Sequence, residues 1–222
     1  FGSSFCVCCT MLRVWLVRHG ESVANTLRLI GRTEDTPLSE LGQRQAAAFG
    51  AHHKESLAEA KLITSSARRT KETCSFALEA AGLSDVPYES FEQITEIFRG
   101  DYDGAELSGE IREALGELWK GDDVMAAKAP GEGSESYRDV QLRCVDFMEK
   151  QIKPMEGHVI LFVHQVVIQT LVMHYLGIDA VFLETNNTSF CELELREKGF
   201  VVTKVNNTQH FWKPGFINTA SL

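Results

Sequence analysis

Val14-Trp15-Leu16-Val17-Arg18-His19-Gly20-Glu21-Ser22-Val23-Ala24-Asn25 is the stretch from which the rest of the chain can be read. Its first four residues are apolar and partly β-branched, with no polar break, which is how a strand buried on both faces reads. The run ends at an Arg, a His and a Gly. In an open α/β sheet the carboxyl end of such a strand is where ligands bind. Gly20 suits close approach of the backbone to a ligand. Arg18 is a forked, permanently charged group matched to phosphate oxygens. His19 is the side chain best able to be neutral and nucleophilic at neutral pH. Ser22 and Asn25 add short polar groups at the turn into a helix, as donors to a ligand or as caps. The local chemistry is that of a phosphoryl group meeting a histidine.

Composition sets the bounds. A chain of 222 residues with 44% apolar and 24% charged residues suits one α/β domain with a full core. A formal net charge of −9 argues against a nucleic-acid partner. It leaves room for a local basic pocket that takes a phosphate. Cys74, Cys144 and Cys191 stand apart in apolar surroundings and read as reduced core residues. Cys6, Cys8 and Cys9 crowd a leader, residues 1–11, of uncertain origin, and no second Cys pair or nearby His completes a zinc site. The first ten residues lack a basic start and a long apolar run, so a cytoplasmic location is expected, and Asn186, Asn187 and Asn206 read as chance Asn-x-Thr/Ser matches. Val159–Leu176 is interrupted by His164, Gln165, Gln169 and His174, so it reads as strand, turn and helix rather than a membrane span. The final Ala220-Ser221-Leu222 lacks the basic residue of a peroxisomal address.

Further along, Ser39 is placed to cap a helix running through Gln43–Ser56. Lys61–Ser65 is a short strand, and Arg68 begins a helix that stops near Ala81 at Gly82. The N-terminus of that helix is an anion site carrying two adjacent arginines, of which at most one faces a ligand. Gln93–Phe98 is expected to be extended. Glu96 sits there between Ile94 and Ile97, and a carboxyl held among apolar side chains keeps its proton more readily, as a general acid must. A helix is expected over Glu110–Trp119, little regular structure over Gly121–Gly133, and a long helix from Ser134 to about Ile152. His158–Val163 is a second buried strand ending in His164-Gln165, followed by a helix over Val166–Tyr175. Phe190–Leu195 and Val201–Val205 form a hairpin about Lys198-Gly199. This order predicts an α/β fold, a three-layer α/β/α sandwich with a mostly parallel central sheet, over residues 12–222 as a single domain.

Five ordered motifs carry a family resemblance. They are Arg18-His19-Gly20-Glu21-Ser22 with Asn25; Asp35-Thr36-Pro37-Leu38-Ser39-Glu40-Leu41-Gly42; Ser65 with Arg69, Thr70 and Thr73; Glu96-Ile97 with Gly100 and Gly104; and Val159–His164 followed by Gln165. Together with Gly133 and Glu135-Ser136-Tyr137 they resemble the histidine phosphatase (phosphoglycerate mutase-like) superfamily, from about residue 12 to residue 211. His164-Gln165 is similar to the fructose-2,6-bisphosphatase-like phosphatase branch, although Gln169 stands where that branch has Arg. The basic cluster that this branch uses for a second phosphate is reduced here to Lys128, and the mutase branch's residues after the acid are replaced by Ile97-Phe98-Arg99.

The resemblance implies a phosphatase acting on a small phosphorylated metabolite, with no cofactor and no metal. It gives His19 the role of nucleophile and Arg18, Arg69 and His164 that of phosphoryl holders. Glu96 becomes the general acid and base, and Gly20, Ser22, Asn25 and Gln165 the substrate-binding residues. It also keeps open two alternatives, a phosphoglycerate mutase-type transfer and a non-catalytic phosphate-binding module. No membrane partner is expected.

Overall fold

The computed structural model describes residues 11–32, 35–178 and 183–211. The Cys6–Cys9 cluster, the C-terminal tripeptide and part of the loop after Asn25 lie outside these residues.

β1 (Arg13–Arg18) and β4 (His158–Val163) are the paired centre of the sheet, in parallel register from Arg13 opposite His158 to Arg18 opposite Val163. β2 (Lys61–Ser65) lies beside β4, and β3 (Tyr88–Phe91) forms the edge, both parallel. β5 (Phe190–Arg196) and β6 (Gly199–Asn207) are antiparallel and extend the sheet beyond β1, giving the order β3-β2-β4-β1-β5-β6. The sheet is therefore mostly parallel.

Alternation along the two central strands divides the core. Val14 and Leu16 join Val159, Leu161 and Val163 on one face, under α6 (Tyr137–Phe147) and α7 (Gln165–Leu176). Trp15 and Val17 join Ile160 and Phe162 on the other face, under α2 (Glu40–His52), α3 (Lys54–Glu59) and α4 (Arg68–Ala81). Each such side chain contributes about 1.5–3 kcal/mol on burial. Sandwiching on both faces explains why these strands carry no polar positions between their ends. The remaining helices are α1 (Val23–Thr26), capped by Ser22, and α5 (Gly109–Leu118), capped by Ser108.

Three expectations need correction. The predicted Gln43–Ser56 helix is two helices broken at His53, whose ring packs against Trp15, Phe49 and Phe190. The extended segment at Gln93–Phe98 is not a strand. The strand is Tyr88–Phe91, and Glu92–Ile94 is a 3-10 turn. β3 escapes an apolar pattern because it is an edge strand with Glu89 and Ser90 exposed. The long helix begins at Tyr137 rather than Ser134, because Ser136 and Asp139 form a reciprocal capping box. Gly121–Gly133 lacks helix and strand as expected, yet Met125 and Ala129 are buried in it.

All four parallel strands end on the same side of the sheet. That edge carries Arg18-His19 after β1, His164 after β4 and the turn into α4 after β2.

Candidate active site

The loop after β1 is fixed from several directions. The backbone N–H of His19 donates to the Val163 carbonyl at 3.0 Å, which ties it to the end of β4. The Asn187 side-chain amide donates to the His19 carbonyl at 2.9 Å. The N–H of Gly20 donates to Thr73 Oγ1 at 3.0 Å, and that hydroxyl donates to the Arg69 carbonyl at 2.6 Å. One threonine thus links the β1 loop to the first turn of α4.

His19 Nδ1 lies 2.7 Å from the carbonyl oxygen of its own neighbour, Gly20. A carbonyl oxygen only accepts, so Nδ1 carries the proton and Nε2 keeps its lone pair. Burial, with Arg69 and Arg18 adding to it, holds His19 well below the ordinary histidine value, and the Gly20 bond opposes this only in part. His19 is therefore neutral at pH 7, with its lone pair on Nε2.

Two buried guanidinium groups share this site. Arg18 donates to the Thr185 carbonyl, and burial brings it down to about 10 against the pull of Glu96, with Arg69 reinforcing the fall. Arg69 is also lowered by burial, opposed by Glu96, Asp35 and Asp103. Its neighbour Arg68 turns outward and pairs with Glu72 at 2.7 Å. The predicted choice between the two arginines thus corresponds to one buried and one exposed side chain.

His164 stands close to His19, with ring centres 5.3 Å apart. It is fully buried. Its Nε2 is 2.7 Å from Ser65 Oγ, and its Nδ1 has no hydrogen-bond partner among the described residues. Burial, then Arg69, His19, Arg143 and Arg18, keep it well below the ordinary value.

Glu96 lies on the wall of a cleft of about 680 Å³ that also takes in Arg18, His19, Arg69, Asn25, Gln165, Gln169 and Asn187. Ile94 and Ile97, expected to surround it, turn into the core instead, at 0% and 2% exposure. Alternation from Ile97 sends Glu96 the other way, towards the cations. Its Oε1 accepts the Ile97 N–H at 2.9 Å. Arg143 holds the segment from behind, donating to the Glu96 carbonyl while pairing with Glu135, which accepts the Phe98 N–H.

Two predicted ligand residues also have structural work. A Cβ on Gly20 would lie 2.6 Å from the Gly42 carbonyl oxygen, so this glycine permits the β1 loop to touch α2. The Ser22 hydroxyl is engaged with Asn25 in a capping box on α1, which also occupies the Asn25 side-chain oxygen. Lys128 is paired with Asp139 at 2.7 Å. Other arginines reach the cleft instead: Arg28, Arg99 and Arg112. Sequence reading missed these three and Asn187; the only signal at Asn187 was an Asn-x-Ser pattern.

The arrangement gathers a neutral histidine, a second buried histidine and two buried guanidinium groups at the carboxyl edge of a parallel sheet. The chain belongs to the histidine phosphatase superfamily (branch 1), whose family model matches residues 14–208. Fructose-2,6-bisphosphatase of Saccharomyces cerevisiae is 29% identical over 201 residues, which are 86% of this chain and 41% of the yeast protein. The chain thus spans less than half the length of that relative. Adenosylcobalamin/alpha-ribazole phosphatase of Salmonella typhimurium is 26% identical over 211 residues, 91% of this chain and 100% of the other. Among solved structures, phosphoglycerate mutase from Bacillus anthracis superposes with a TM-score of 0.78 at 22% identity, covering 91% of this chain and 96% of that one, and shows the shared fold. Among the described residues no helix is long and apolar enough to cross a membrane.

Proposed function

We propose that the protein is a phosphatase that cleaves a small phosphomonoester through a phosphohistidine on His19. The observation that carries this reading is the His19–Gly20 bond beside two buried arginines. It leaves a neutral Nε2 in a buried site that also holds two guanidinium groups. Buried charge of one sign asks for a bound counter-charge, and a phosphoryl dianion supplies it.

In the first step Nε2 attacks phosphorus, the phosphorus–oxygen bond to the alcohol breaks, and Glu96 gives its proton to the leaving oxygen. Arg18 and Arg69 hold the equatorial oxygens, where charge is spread in the transition state. With Thr70 Oγ1 donating to Ser65 Oγ, Ser65 donates in turn to His164 Nε2. His164 then carries its proton on Nδ1, and a neutral imidazole still donates to a phosphoryl oxygen. That contact would satisfy the buried nitrogen that now lacks a partner. In the second step Glu96 takes a proton from water, the water oxygen attacks phosphorus, and the bond to His19 breaks to release phosphate. Gln165 and the amide of Asn25 lie on the cleft wall where the alcohol part would sit.

The reading includes residues 12–222 as one catalytic domain. It includes a reducing, cytoplasmic compartment, supported by Cys74, Cys144 and Cys191 as buried free thiols. The test is product analysis on a panel of phosphorylated metabolites. Free inorganic phosphate supports the phosphatase, whereas an isomerised phosphoester with no free phosphate would make the protein a mutase.

A further inference from the structure

Three arginines from three separate segments line the outer part of the same cleft. Arg28 follows α1, Arg99 follows Glu96, and Arg112 lies on α5. None of the three pairs with a carboxylate among the described residues, in a chain with a net charge of −9. Arg32, Arg68, Arg138, Arg143 and Arg196 have such partners, and Arg13 and Arg44, which pair with no carboxylate among the described residues, stand away from the cleft. An acidic protein that leaves three arginines unmatched in one cleft concentrates positive potential there.

Two of them are held in place. Arg28 adopts φ 54, an uncommon conformation for a side chain other than glycine. Hydrogen bonds from Leu29 N–H to the Ala24 carbonyl and from Leu107 N–H to the Arg28 carbonyl enforce it. The Arg99 guanidinium lies over the Tyr137 ring at 5.4 Å from its centre. The stacking reduces the side-chain freedom that Arg99 loses when a ligand binds, and the bonded backbone fixes the point from which the Arg28 side chain extends.

We infer that the alcohol part of the substrate carries a second anionic group, carboxylate or phosphate, held by Arg28, Arg99 and Arg112 while the phosphoryl end sits at His19. This rests on the phosphatase reading for the inner site. These cations stand elsewhere than Lys128, the remnant of the basic cluster of the fructose-2,6-bisphosphatase-like branch, which is paired with Asp139.

Matched pairs of phosphoesters test it: glycerol 3-phosphate against 3-phosphoglycerate, and fructose 6-phosphate against fructose 1,6-bisphosphate. Each pair is compared by phosphate release with the wild type and by calorimetric titration of His19→Ala, which reads binding without turnover. A charge-assisted contact predicts a preference of about tenfold or more for the doubly anionic member in at least one pair. The pair that shows it identifies carboxylate or phosphate. Arg28→Asn, which tolerates the same backbone conformation, combined with Arg112→Gln on the exposed face of α5, is expected to remove most of that preference. Equal binding of both members in both pairs would overturn the inference, as would a double variant that weakens both members alike. Preference in the titration without any turnover would remove the phosphatase reading and leave the subsite standing. Turnover without preference would remove the subsite alone.

Discussion

The 2.7 Å contact between His19 Nδ1 and the carbonyl oxygen of Gly20 determines which nitrogen of His19 is available for chemistry. A flexible surface histidine samples both tautomers. This one is held in the form that leaves Nε2 unprotonated. Its neutrality also survives moderate acid, because burial and the two arginines lower its affinity for a proton. Nitrogen-15 ring spectra at pH 7 and pH 6 are therefore expected to show a neutral, Nδ1-protonated His19 at both. An imidazolium signature at pH 6 would contradict this.

Arg69 and Arg68 are sequence neighbours with opposite environments, one buried at the cleft and one on the surface beside Glu72. Removing a donor aimed at developing charge costs about 3 kcal/mol, roughly a hundredfold in rate. Arg69→Ala is expected to lose that much in kcat/KM. Arg68→Ala loses an exposed ion pair, about 0.2–1 kcal/mol of stability, and stays within a few-fold of wild type in rate. Equal losses would assign the phosphate contact wrongly.

Glu96→Gln keeps the shape of the side chain but cannot transfer a proton. On an alkyl phosphate, a poor leaving group, it is expected to cost on the order of a hundredfold or more. On p-nitrophenyl phosphate the first step needs no proton, so a rapid burst of nitrophenol should precede slow hydrolysis. Equal slowing of the burst on both substrates would make Glu96 a positioning residue, with Asp101, Asp103 or Glu106 left as candidates for the acid.

At the other end of the sheet His158 packs against Trp15, with neither ring nitrogen bonded, and burial brings it down to about 4. Its folded value lies below its unfolded one, so it opposes folding only when protonated. Stability from this group is complete above about pH 6.5 and is lost as the pH falls towards 4. His53, at about 4, has the same sign. Denaturant melts at pH 7 and pH 5 are expected to show a lower midpoint in acid. His158→Phe should narrow that difference, and an unchanged difference would exclude His158 as a source.

The central strands, their turns and the helix boundaries at Ser39, Arg68 and Gly82 were legible because apolar runs and capping residues signal them locally. β3 was not, since an exposed edge strand such as Tyr88–Phe91 needs no apolar pattern. His19, Arg18 and Arg69 were legible because each lies at a strand end or opens a helix, whereas Glu96, beyond a 3-10 turn, rested on its apolar neighbours and its motif. The reason for Gly20 was not legible, because a tight contact with Gly42 and a close ligand approach demand the same residue. Arg28, Arg99 and Arg112 were illegible for a different reason. Only the tertiary fold brings them to one cleft.

The most direct test is to trap the covalent intermediate. Wild-type protein is mixed with a phosphorus-labelled substrate, quenched in alkali within the first turnovers, digested and mapped by mass spectrometry. The account predicts a phosphoryl group on His19, stable in alkali, labile in acid and absent from His19→Ala. Rapid phosphate release with no label on His19, or with the label on a serine or carboxylate instead, would contradict it.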